Sequence, residues 1–269
     1  MGYLKIIRPI NCIIAFTSVL VGAWIGREIN FSPQLLLTGM ILFVVYAFGN
    51  IVNDLYDIEI DKINHPERPL PSGKVDKKIA QLLALFFLII ALFFSRSLGL
   101  VPFLLVLGMC ILLFAYDIRL KKTILGNAIV SLITGLGFIL GGIVVGNPAC
   151  IFPFIFSLFV HMPREIIKDI IDIKGDRRND VVSLPILLGT KKSLTISAFL
   201  LCILCILLPL PFITRTLHLR YLLIILMGTY PLLIYIIIQC LKTPREHILT
   251  NLTKLLKISM AIGLVAMIV

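Results

Sequence analysis

The chain has 269 residues, of which 59% are hydrophobic and only 14% are charged, and its mean hydropathy is +1.06. Soluble domains are about 25% charged, so a chain this apolar does not present an adequately polar surface to water. The composition excludes a soluble globular protein and a disordered chain, and the net charge of +11 is better explained by bases flanking membrane helices than by nucleic-acid binding.

Nine long apolar segments follow one another, several approaching the roughly 20 residues that cross a bilayer. They run over residues 9–26, 32–53, 78–96, 98–116, 124–146, 149–168, 191–211, 219–240 and 251–269. Continuous apolar runs exclude an outer-membrane barrel, whose strands alternate, and backbone groups in lipid must be paired within each segment. The sequence therefore predicts an all-α, polytopic membrane protein with nine helices in a single domain, residues 1–269. In the fifth segment, Gly135, Gly137, Gly141 and Gly142 suit close helix contact or a kink.

The basic residues predict the orientation of these helices. All but four of the 25 Lys and Arg residues fall at the N-terminus or in alternate connections, and the four exceptions are Arg27, Arg96, Arg215 and Arg220. By the positive-inside rule the base-rich side is cytoplasmic. With nine spans, the N-terminus is then inside and the C-terminus outside the cell membrane.

Most of the 14 acids fall in two stretches, 54–76 and 165–180, both on the predicted cytoplasmic side. At a constant offset of 115 residues, the matches are Asp54 with Asp169, Asp57 with Asp172, Ile58 with Ile173, Asp61 with Asp176 and Asn64 with Asn179. Each stretch ends an even-numbered helix. The chain is therefore predicted to be a pseudo-two-fold bundle of two similarly oriented halves around a central cavity, with acidic motifs near 53–61 and 168–176.

Residues four apart share a helix face, so each motif is predicted to form a row of acids. Like charges at that spacing repel, and oxygen ligands without His or Cys favour a hard cation such as Mg²⁺, which completes its shell with water and phosphate. The predicted metal ligands are Asn53, Asp57, Asp61, Asp169, Asp172 and Asp176. The acids that fit ordinary solvated loop charges are Asp54, Glu59, Glu67, Asp76 and Asp180.

Basic residues accompany the acids on the same predicted side. Arg68 lies in a stiff Pro-rich turn, Lys168 lies within the second motif, and Arg8 and Asn11 open the first helix on one face. Carboxylates together with Arg and Lys imply a polyanionic ligand reached through metal, meaning a phosphate or diphosphate. The candidate substrate-binding bases are Arg8, Arg68, Lys121, Lys122 and Lys168.

These residues resemble the UbiA-type intramembrane prenyltransferase superfamily, marked by an N-D-x-x-D-x-x-x-D block after the second helix and a D-x-x-x-D block after the sixth. The matching segments are Asn53-Asp54-x-x-Asp57-x-x-x-Asp61, Asp172-x-x-x-Asp176, Arg68-Pro-Leu-Pro-Ser-Gly73, Tyr116…Lys121 and Arg8-Pro-x-Asn11. The nine-span layout covers the whole chain. Within the superfamily, the short length and Arg164-Glu-Ile-Ile-Lys168-Asp169 are most similar to archaeal-type digeranylgeranylglyceryl phosphate synthases.

The resemblance implies Mg²⁺-dependent transfer of a geranylgeranyl group from its diphosphate to the hydroxyl of geranylgeranylglyceryl phosphate, or to another lipophilic acceptor. It implies that Asn11, Asn53 and Tyr116 also contact substrate. It implies four catalytic acids, Asp57, Asp61, Asp172 and Asp176. One acid, Asp61 or Asp176, is expected to help take the hydroxyl proton. Membrane lipids are the expected surroundings, and an oligomer is compatible with the sequence.

Three other readings stay open at this point. The first is prenylation of an aromatic acid or a quinone or heme precursor by another UbiA-type enzyme. A CDP-alcohol phosphotransferase would require a D-x-x-D-G-x-x-A-R run, which neither acidic block contains. A cation-coupled transporter would place its carboxylates near the midplane at broken helices.

Overall fold

The computed structural model describes residues 2–178, 181–242 and 244–269, with the backbone alone for residues 64 and 174–178. Every long regular element in these ranges is a helix. The α-helices are α1 (Gly2–Ile7), α2 (Pro9–Trp24), α3 (Pro33–Tyr56), α4 (Ile58–Asn64), α5 (Lys77–Arg96), α6 (Leu100–Ile118), α7 (Gly126–Val145), α8 (Ile151–Arg178), α9 (Leu184–Leu188), α10 (Thr190–Leu207), α11 (Leu210–Ile213), α12 (Leu219–Ile224), α13 (Tyr230–Leu241) and α14 (Glu246–Ile268).

Nine helical spans among the described residues are long and apolar enough to cross a bilayer. They are Gly2–Trp24, Pro33–Tyr56, Lys77–Arg96, Leu100–Ile118, Gly126–Val145, Pro148–Ile173, Thr190–Ile213, Leu219–Leu241 and Glu246–Ile268. Large apolar side chains are widely exposed on them, Phe93 at 72% and Ile206 at 74%, as suits a surface that faces lipid. The predicted polytopic all-α membrane protein is confirmed.

One compact unit comprises Met1–Ala23, Ile29–Arg119 and Leu136–Pro148. Within it α3 packs against α1, α5 and α6. Buried residues of α3 recur every three or four positions, at Ile41, Val45, Phe48 and Val52, which places them on one face of this helix. The first span is not one helix: Arg8 has a φ of +52° and separates α1 from α2, whereas the sequence places Arg8 at the opening of the first helix.

The second unit comprises Trp24–Glu28, Leu120–Gly135 and Ala149–Val269. Within it α8 packs against α10 and α14, and α10 also packs against α13. The fully buried Tyr221 donates a hydrogen bond of 2.7 Å from its hydroxyl to the carbonyl of Leu208, which ties α12 to the end of α10.

The two acidic motifs have different helical settings. The first straddles a break: α3 ends at Tyr56, Asp57 has φ −95° and ψ 5°, and α4 begins at Ile58. The second lies within α8, which continues to Arg178 beyond the end of its span at Ile173. The sixth helix thus extends beyond the apolar segment 149–168 and contains the second motif near its end, as the sequence predicts.

Candidate active site

The spacing of the first acidic motif survives the break between α3 and α4. The amide of Asp57 donates to the carbonyl of Asn53 at 3.0 Å, and the amide of Asp61 donates to the carbonyl of Asp57 at 2.7 Å. Because these are the bonds of an uninterrupted α-helix, Asn53, Asp57 and Asp61 remain one turn apart.

The side-chain amide of Asn53 joins three charged residues of the first unit. Its Nδ2 donates to Asp57 Oδ2 at 3.2 Å and to Asp117 Oδ1 at 2.7 Å, while its Oδ1 accepts from Arg8 Nη2 at 3.3 Å. If the side-chain amide of Asn53 were flipped, its oxygen would face two carboxylates and its NH₂ group would face a guanidinium, so neither could form a hydrogen bond. Asn53 therefore presents its side-chain N–H group, not its carbonyl oxygen, to Asp57.

Asp54 is 4% exposed and accepts a hydrogen bond from Arg8 Nη2. The prediction that Asp54 is a solvated loop charge is wrong, because the last turn of α3 directs this carboxylate to the guanidinium at the α1–α2 junction. The left-handed backbone of Arg8 costs a non-glycine residue about 1–2 kcal/mol, and the ion pair with Asp54 helps to hold it.

Asp61 and Arg68, both predicted site residues, form a pair. Arg68 Nη1 donates to Asp61 Oδ1 at 2.8 Å and to Oδ2 at 2.7 Å, and Asp61 is 4% exposed. The Pro-rich turn holds Arg68, whose amide donates to the carbonyl of His65 at 3.0 Å while its own carbonyl accepts from the amide of Ser72 at 3.0 Å. Both carboxylate oxygens of Asp61 therefore accept hydrogen bonds from one arginine.

The second motif belongs to the second unit. Asn127 Nδ2, in the first turn of α7, donates to Asp169 Oδ2 at 2.7 Å. Asp172 and Lys168 are exposed, and Lys168 Nζ lies 3.7 Å from Glu165 Oε2. Asp176 lies on the helical backbone of α8, but its side chain falls outside the described residues.

The other predicted substrate-binding residues lie on separate elements. Asn11 is exposed in the first turn of α2, and Tyr116 is half-buried in the last turn of α6. Lys121 is half-buried, and the exposed Lys122 accepts a bond of 2.9 Å at its carbonyl from the amide of Val182. These assignments remain predictions.

Sequence reasoning missed two polar partners of the predicted acids. Asp117 is 3% exposed at the end of α6, and Asn127 is half-buried. Each has a sequence signal, since each is a polar residue in the end turn of a span where an apolar residue is the norm. Neither belongs to a repeated spacing, so the pattern that selected the aspartates did not select them.

The donor atoms of the motifs fit a hard cation. Among the described residues, no three or more His, Cys, Asp or Glu side chains cluster as a metal site. Mg²⁺ takes only one or two carboxylates in most proteins and completes its octahedron with water and phosphate oxygens. Each motif offers a carboxylate of this kind, Asp57 in the first motif and the exposed Asp172 in the second.

Nine apolar helical spans among the described residues, with aspartates and bases near the ends of the second and sixth, define a polytopic membrane protein. The chain matches the UbiA prenyltransferase family over residues 15–254 and belongs to that family. It is a prenyltransferase.

Three known proteins show the degree of similarity. The chain is 37% identical over 270 residues to the digeranylgeranylglyceryl phosphate synthase of Methanosphaera stadtmanae, covering 98% of this chain and 97% of that one. A solved structure of a digeranylgeranylglyceryl phosphate synthase in membranes matches with a TM-score of 0.87 at 36% identity, covering 99% and 96%. A UbiA homolog from Archaeoglobus fulgidus, bound to GPP and Mg²⁺, shares the fold with a TM-score of 0.73 at 23% identity, covering both chains fully.

Proposed function

We propose that this prenyltransferase transfers a geranylgeranyl group from geranylgeranyl diphosphate to the free hydroxyl of geranylgeranylglyceryl phosphate. The product carries the second ether bond of an archaeal-type membrane lipid. The observation that carries the proposal is the near full-length similarity to digeranylgeranylglyceryl phosphate synthases, at 37% identity over 98% of the chain. The acids and bases at the ends of the second and sixth spans supply the chemistry that such substrates require.

Mg²⁺ is the proposed cofactor, and its candidate ligands are Asp57 in the first motif and Asp169, Asp172 and Asp176 in the second. When bound, the ion neutralises charge that develops on the leaving diphosphate. The homolog from Archaeoglobus fulgidus binds GPP together with Mg²⁺, which supports this assignment. Asn53 positions Asp57 through its 3.2 Å hydrogen bond and Arg8 holds Asn53 in turn.

In the proposed reaction, the bond between C1 of the donor and its diphosphate oxygen breaks, and diphosphate leaves with the electron pair. The acceptor hydroxyl oxygen then bonds to C1. Its proton passes to a carboxylate of the second motif, since both oxygens of Asp61 already accept from Arg68 at 2.7–2.8 Å. Arg68, fixed by Asp61, is left to contact the diphosphate with its remaining N–H groups. The apolar spans exclude water, which would otherwise quench an allylic cation.

The proposed site faces the cytoplasm. The predicted base-rich connections, the first acidic motif and the extension of α8 past Ile173 all fall on the side that the positive-inside rule assigns to the cytoplasm.

The test supplies purified protein with geranylgeranyl diphosphate and, in turn, geranylgeranylglyceryl phosphate, 4-hydroxybenzoate and a quinone precursor. We expect transfer to the glyceryl phosphate, loss of transfer in EDTA, and recovery on adding Mg²⁺. Faster transfer to an aromatic acceptor would replace the proposed function with the aromatic one. Turnover that survives EDTA would overturn the metal assignment.

A further inference from the structure

A charged group lies within the sixth span, at the start of the second acidic motif. Arg164 and Glu165 belong to α8 inside the span Pro148–Ile173. At 1.5 Å per residue, Arg164 lies about 13 Å along the helix from the last residue of that span. Ionisable residues within a membrane-spanning helix are costly, so they are rarely present without a function.

The group contains two bases and one acid. Arg164 Nη1 donates to Glu165 Oε1, and Lys168 Nζ lies 3.7 Å from Glu165 Oε2. The side chains of Arg164 and Glu165 are 21% and 14% exposed. Two positive charges therefore share one carboxylate, and Arg164 and Lys168 lie four residues apart on one face of α8.

The guanidinium of Arg164 has an unfilled donor. Its Nε is buried and has no hydrogen-bond partner among the described residues. Leaving a buried donor of a charged group unpaired is unfavourable, whereas an acceptor oxygen at this position would satisfy it. A phosphate offers several oxygens, and arginine binds phosphate through two parallel N–H donors.

The position of Arg164 favours an anion other than the donor diphosphate. Asp172 lies eight residues further along α8, about 12 Å along the helix axis. Lys168 lies one helical turn from Asp172, whereas Arg164 lies two turns from it. A diphosphate held through metal at Asp172 lies closer to Lys168 than to Arg164.

We propose that Arg164, assisted by Lys168, binds the phosphate of the acceptor lipid, a phosphomonoester of a prenylated glycerol. The proposal rests on the proposed function and names the residue that selects a phosphorylated acceptor. Glu165 holds the guanidinium in position until the phosphate arrives.

The kinetic test compares Arg164→Gln with the wild type on geranylgeranylglyceryl phosphate and on its dephosphorylated analogue, geranylgeranylglycerol. We expect the KM for the phosphorylated acceptor to rise at least tenfold, with the KM for the donor and the kcat/KM for the neutral acceptor unchanged. Arg245→Gln, an exposed arginine before α14, is the matched control and leaves every parameter unchanged. Equal losses on both acceptors, or a raised donor KM, would overturn the proposal.

A binding test separates this site from the reaction. The melting temperature of the detergent-solubilised protein is measured with geranylgeranylglyceryl phosphate and no donor. We expect the ligand to stabilise the wild type and not Arg164→Gln, whether or not the protein turns this acceptor over. If the wild type transfers the prenyl group and Arg164→Gln binds and uses the phosphorylated acceptor equally well, the proposed phosphate site is refuted but the proposed function is not. If Arg164→Gln does not fold, the same comparison is made with Lys168→Gln, which changes an exposed position. We expect the KM of this variant for the phosphorylated acceptor to rise several-fold. An unchanged KM would refute the site.

Discussion

The aspartates of the first motif are chemically identical, but their surroundings give them different tasks. Asp54 and Asp61 are each 4% exposed and each paired with an arginine, whereas the half-buried Asp57 accepts from the amide of Asn53. A carboxylate already neutralised by a guanidinium has less to offer a cation. At the residue scale, Asp54 is therefore the structural anchor, and Asp57, which matches Asp172 at the offset of 115 residues, is the metal ligand to test.

This division predicts opposite phenotypes for two neighbouring substitutions. Asp57→Ala should lower transfer by about 100-fold or more, because it removes several kcal/mol of stabilisation of the leaving diphosphate, while the protein remains folded. Asp172→Ala should behave in the same way. Transfer by the purified variants and their melting temperatures provide the measurement.

The matched variant is Asp54→Ala. It leaves Arg8 without its carboxylate, so we expect the free energy of unfolding to fall by about 1–3 kcal/mol. Full activity of Asp57→Ala or of Asp172→Ala would contradict binding of diphosphate through metal, and an unchanged melting temperature of Asp54→Ala would contradict the anchoring role.

At the scale of elements, α2 and the second half of α7 approach each other backbone to backbone. A Cβ on Gly22 would lie 2.0 Å from the carbonyl oxygen of Phe138, and one on Gly141 would lie 2.0 Å from that of Val19. A Cβ on Gly137 would lie 2.2 Å from Ser18 Oγ. The small residues thus repeat at intervals of four on both helices, as in membrane helix pairs that pack through glycine. Of the two alternatives that the sequence left open, close contact or a kink, the structure shows close contact at Gly137 and Gly141.

Gly141→Ala should therefore force α2 and α7 apart and lower the melting temperature by several degrees. The new Cβ would meet the backbone carbonyl oxygen of Val19, which cannot move away by a change of rotamer. Gly108→Ala in α6 is the control, since a Cβ there would meet no atom within 4 Å. The control should be neutral or stabilising, by up to about 1 kcal/mol, through the higher helix propensity of alanine. Equal melting temperatures for the two variants would contradict the packing.

At the scale of the whole molecule, the testable feature is its orientation in the membrane. The nine spans and the uneven distribution of bases predict an inside N-terminus and an outside C-terminus. A green fluorescent protein fused after Val269 should be exported and dark, and alkaline phosphatase at the same point should be active.

Truncation after Lys242, which removes the ninth span, is the matched control and should reverse both signals. Fluorescence from the full-length fusion would place the C-terminus inside and the base-rich connections outside. This orientation is the reverse of the predicted one.

The sequence by itself determined the class of this protein, its nine spans and its two aspartate motifs. Apolar length and charge distribution depend only on local composition, and a motif with a fixed spacing lies on one helix face wherever that helix packs. The spacing of Asn53, Asp57 and Asp61 survived even the break between α3 and α4, because the hydrogen bonds at 3.0 and 2.7 Å continue across it.

Only the tertiary structure decided which partner each polar group takes. Arg8 lies 46 residues from Asp54, and Asn53 lies 64 residues from Asp117. Such pairs depend on how distant helices meet, and no local pattern encodes them. The same reason explains the unfilled donor of Arg164: a sequence shows an arginine within a span, but which of its N–H groups finds an acceptor depends on the side chains packed around it.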